Sequence, residues 1–133
     1  MRPRKLEYFE DQLMLSPQGK AVLEVIRTHA KEVMYLVQKN RPTMVCWQRH
    51  HGPTFIKSVV GSGFEENVAF ITEVKGVTME TLLLHMAEVL QDHGSPELKM
   101  TIGNYAATVL NIVRTSNSLK EIISRINQTT VTQ

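Results

Sequence analysis

Residue types able to do chemistry concentrate in one stretch, Cys46-Trp47-Gln48-Arg49-His50-His51-Gly52-Pro53-Thr54-Phe55, with Lys57 just beyond it. A helix beginning at Pro53 would turn its free amides, from Thr54 onward, toward any nearby anion, because the first turn has unpaired N–H groups and carries the positive end of the helix dipole. Arg49, His50, His51 and Lys57 would then complete a phosphate or carboxylate pocket. A nucleic-acid reading of the same residues would place the cations on phosphates and use Trp47 or Phe55 as a stacking platform. So few cations, followed by an acidic segment that repels the same ligand, make nucleic acid an unexpected partner. The plainer account keeps Trp47 and Phe55 as core aromatics and the charges as a solvated face. No phosphate-loop or dinucleotide glycine pattern is present to tip the balance toward an anion.

Cys46 and His50 are four apart, so on a helix both could reach one metal ion. Two ligands do not make a zinc site, and His29, His85 and His93 have no paired spacing that supplies the rest. No metal or other cofactor is therefore expected, and metal binding through Cys46 and His50 is a second alternative only. His85, Glu88 and Asp92 recur on one helix face, opposite its apolar side, and read as solvated. For catalysis, Cys46 with His50 or His51 is the nearest nucleophile and base pair, but nothing orients the base. With no serine elbow, zinc helix or carboxylate pair either, the chain reads as non-enzymatic.

The chain has 133 residues, 42% hydrophobic and 21% charged, enough for one self-sufficient core. The lone Cys46 cannot form an internal disulfide, which suits a reducing compartment, and no export signal or membrane-length apolar run is visible, so a soluble cytoplasmic chain is expected. The Asn127-Gln128-Thr129 sequon reads as chance in a polar tail. The net charge of +2 hides a segregation. Between Glu32 and Glu65 the only charged residues are Lys39, Arg41, Arg49 and Lys57, whereas from Glu65 to Glu97 Lys75 stands alone against seven acids: Glu65, Glu66, Glu73, Glu80, Glu88, Asp92 and Glu97. Such segments can face each other within a fold or across a subunit contact.

Helices must position these groups. Leu6, Phe9 and Leu13 mark a short amphipathic arm over residues 1–15, and Ser16-Pro17 starts a helix with Val22, Ile26, Ala30, Val33 and Val37 on one face, ended by Arg41-Pro42. Thr78 caps a helix carrying Met79, Leu82, Leu83, Met86, Val89 and Leu90, with Gly94 as a left-handed stop. Ser95-Pro96 opens a helix whose wide stripe, Leu98 through Val113, predicts the most buried, central element, and whose Gly103 and Ala107 invite a close neighbour. Ser118 and Glu121 form a capping box for a last helix, before a frayed tail over 128–133. Of the methionines, Met34, Met44, Met79, Met86 and Met100 lie in or beside apolar faces, as core fillers rather than an adaptable groove.

Residues 43–74 allow two readings. Met44, Trp47, His51, Phe55 and Val59 suit a helix broken or kinked at Gly52-Pro53, while Thr43–Arg49, Thr54–Val60 and Val68–Val74 could make a small antiparallel sheet. The first gives an all-α compact bundle of five or six helices over residues 16–127, the second an α+β variant. The function this best fits is a protein-interaction or self-association module, a homo-oligomer docking through Leu6, Phe9, Leu13, Trp47 and Phe55; the alternative is a small-anion, nucleotide or nucleic-acid binding domain using the basic stretch 39–57.

Overall fold

Prolines and hydroxyl caps divide this chain into helices. The computed structural model describes residues 4–62 and 69–128, with backbone alone for residues 4–6. Helix α1 spans Arg4–Leu13, α2 Pro17–Lys39, α3 Arg41–Arg49 and α4 Gly52–Gly61; after a hairpin of β1 (Glu73–Val74) and β2 (Val77–Thr78) come α5 (Met79–His93), α6 (Pro96–Arg114) and α7 (Leu119–Gln128). The fold is an all-α bundle. Among the described residues there are seven helices: α1 in the expected arm, and six after it, as many as the bundle was expected to have, because the stretch around Gly52-Pro53 is broken into two. The break falls at His50-His51, one step before Gly52-Pro53: His51 adopts a left-handed conformation (φ 61°), and Pro53 sits in the first turn of α4, where a missing N–H costs nothing. Among the described residues the sheet alternative is reduced to the hairpin, whose turn residues Lys75 and Gly76 both have positive φ, as a type I′ turn requires.

The caps stand where the sequence puts them. Ser16, Thr78 and Ser95 accept from the amides of Gly19, Thr81 and Leu98. Arg41-Pro42 ends α2 and also starts α3, with the Asn40 side chain accepting from the Thr43 amide. Ser118 accepts from the Glu121 amide, but the Glu121 carboxylate reaches back to the Asn117 amide instead of that of Ser118. Gly94 is not the left-handed stop expected. Its backbone is extended (φ −84°, ψ 174°), because the next amide, that of Ser95, turns to donate to the Glu32 carboxylate of α2. Glycine is needed there for space: a Cβ would lie 2.6 Å from the Leu90 carbonyl oxygen.

Two apolar clusters follow. The larger buries Phe55, Phe70, Met79, Leu82 and Met86, so α5 is the hub, with α3 packed on one side and α6 on the other. The smaller buries Phe9, Leu13, Leu23 and Ile123. The N-terminal segment is therefore no free arm reaching for another subunit: α1 packs on α2 and α7 of its own chain. Asn127 is equally far from a chance tail residue. Its side-chain oxygen accepts from the Ser16 hydroxyl and its amide donates to the Gln12 carbonyl, tying α7 to the α1–α2 corner. Residues 129–133, the rest of the expected frayed tail, lie outside the described residues.

The largest departure concerns α6. Expected as the central helix, it lies at the edge, with only Leu98 buried and Met100 68% exposed. α3 takes the flank of α5 away from α6, and the α6 stripe beside α2 is left unsealed. Nor does any backbone approach Gly103, whose added Cβ would meet only the Gln91 amide at 3.6 Å. The same substitution therefore has opposite consequences at two glycines. Gly103→Ala should raise the unfolding free energy by up to about 1 kcal/mol through helix propensity. Gly19→Ala should lower it by about 2 kcal/mol or more, since its Cβ would collide with the Leu13 carbonyl backbone. Urea unfolding of the two variants reads the difference directly, and equal shifts would refute this packing.

Candidate functional site

The chemistry-bearing residues of α3 meet α5 rather than one another. Helical spacing puts Val45, Cys46 and Arg49 on the α3 face toward His85, Glu88, Val89 and Asp92 of α5, and together with His50 they line a shallow pocket of about 310 Å³. The basic and acidic segments thus face each other inside one chain. Arg49 and His50 belong to this pocket, but His51 sits at the α3–α4 joint and Lys57 is exposed on α4, so neither lines it. The four-residue anion pocket is not assembled. The half that is present shares its space with two carboxylates, which repel the ligand it was to hold.

Within the pocket, Cys46 Sγ lies 3.7 Å from His50 Nδ1, and the same nitrogen is 2.8 Å from the Cys46 carbonyl oxygen. For that carbonyl to accept, Nδ1 must carry the proton, which leaves Nε2 as the acceptor of a neutral ring. The His85 ring meets His50 edge-on, with centroids 4.5 Å apart. This is contact that helix periodicity alone does not give, since His85 comes from another element. Among the described residues, however, no three His, Cys, Asp or Glu side chains are arranged to hold a metal ion. Burial pushes the Cys46 thiol above its ordinary value; Arg49 opposes this and Glu88 adds to it. A thiol kept protonated near neutral pH is a poor nucleophile.

The residues expected to dock partners are mostly inside. Phe55 is 2% exposed, and Phe9 and Leu13 are buried in the smaller cluster, so none offers a surface. Trp47 packs against the larger cluster and over Gly52, where a Cβ would come within 2.2 Å of its ring, and it acts as a lid rather than an anchor. The side chain of Leu6 lies outside the described residues.

A different surface is left open. α2 and α6 flank α5, and their apolar stripes form the walls of a groove of about 640 Å³ whose floor is Leu83, Met86, Ala87 and Leu90. Val25, Ile26, Ala30 and Val33 line one wall, and Ile102, Tyr105, Ala106, Val109 and Leu110 the other. Ile26, Leu84, Tyr105 and Val109 are all exposed there, Tyr105 by 50%. His29 and Thr101 bond to each other across it at 2.9 Å, so the polar groups of the groove are largely satisfied within it. Sequence reading assigned these stripes to the core. No local signal places them outside it, because a run without charge from Met100 to Val113 reads as buried.

The chain matches no family model, no curated protein and no solved structure at a significant level. The pocket chemistry can be checked at Cys46. Alkylation by iodoacetamide at neutral pH should be slower than in the urea-unfolded chain and should accelerate as the pH rises and the thiolate forms. Arg49→Ala should slow it further and Glu88→Gln should speed it, because those charges act on the thiol in opposite directions. A folded-state rate at or above the unfolded rate would contradict the geometry described.

Proposed function

We propose that this chain is a non-enzymatic protein-interaction module, and that the groove between α2 and α6 is the surface through which it associates. One observation carries the reading. Three helices turn apolar side chains toward a common groove that none of the described residues covers, and large exposed apolar surfaces of this kind mark contact sites on proteins. Its walls are helices and its lining is aliphatic, so it suits the helix-in-groove mode, in which an amphipathic helix lays residues spaced three and four apart into an apolar trough. No helix among the described residues is long and apolar enough to cross a membrane, and a protein surface is the occupant this reading requires.

The rival readings have less support. Anion or nucleotide binding loses Lys57 and His51 from its pocket and gains Glu88 and Asp92. Catalysis at Cys46 starts from a thiol shifted the wrong way. Metal binding through Cys46 and His50 finds a third side chain, His85, in contact but not in a ligating arrangement. The unpaired Cys46 is consistent with work in a reducing compartment such as the cytoplasm.

A photo-crosslinking residue at Val109 or Ile26, in the cells that express the chain, should give an adduct of one defined mass. The same residue at Lys57, on the far side of α4, should give none. Leu84→Glu should abolish the adduct while leaving the helical circular dichroism intact, since Leu84 is exposed and its loss opens no core cavity. No adduct from either groove position, or equal labelling from position 57, would overturn the assignment.

A further inference from the structure

We draw no further inference here: the strongest candidate, the apolar groove that α2, α5 and α6 leave open, belongs to the site already described, and among the described residues nothing shows what covers it.

Discussion

Met79, Leu82 and Met86 of α5 are sealed by Phe55 from α4 and Phe70 from the segment leading into the hairpin, and the other elements are arranged around that contact. The seal needs the chain to return across α4 before α5 begins. Two bonds from backbone amides hold that return: the Phe70 amide donates to the Asn117 carbonyl, and the Ile71 amide donates to the Ser58 hydroxyl. The buried Ser62 continues the same seam, donating to the Val59 carbonyl and accepting from the Leu119 amide, so the end of α4 fixes the start of α7. Polar groups in this seam are satisfied, as burial demands; among the described residues no buried side-chain nitrogen or oxygen lacks a partner.

Once α5 is committed on that side to α3 and α4, its remaining apolar face is shared by α2 and α6. Those two helices are joined near the Ser95 corner, by Glu32 and by the His29–Thr101 pair, and the corner sets their separation. Their stripes line the groove without closing over it. Leaving aliphatic side chains in water forfeits about 25 cal/mol for each Å² that stays wet, so an open groove of this extent is a cost to the isolated chain and a reserve for association. The interaction reading draws on that reserve.

How much of this was legible beforehand varied with the range of the interaction. Caps were legible at Ser16, Thr78 and Ser95, since a side chain bonding an amide three residues on is a local event. The hairpin was harder, because Lys75-Gly76 is a weak turn signal beside Asn-Gly or Asp-Gly. Gly94 was misjudged through its neighbour's distant partner: Glu32, 63 residues from Ser95, captures the Ser95 amide and pulls the glycine into an extended conformation. The candidate site fared least well. Arg49 and Lys57 are near in sequence but diverge at the left-handed His51, while His50 and His85 are distant in sequence and touch.

The sequence by itself determined that the chain is mainly helical, most of the helix boundaries outside residues 43–74 and which face of each helix is apolar, because those depend on propensity, capping and a period of 3.6 residues within one segment. It did not determine which apolar faces are covered. Val33 and Phe55 both fit helical stripes, yet the first lines an open groove and the second is the centre of the core. Periodicity reports the chemistry of a face, whereas burial depends on which other faces can reach it. Only the tertiary structure, by spending α3 and α4 on one flank of α5, decided that the α2 and α6 stripes would remain at the surface.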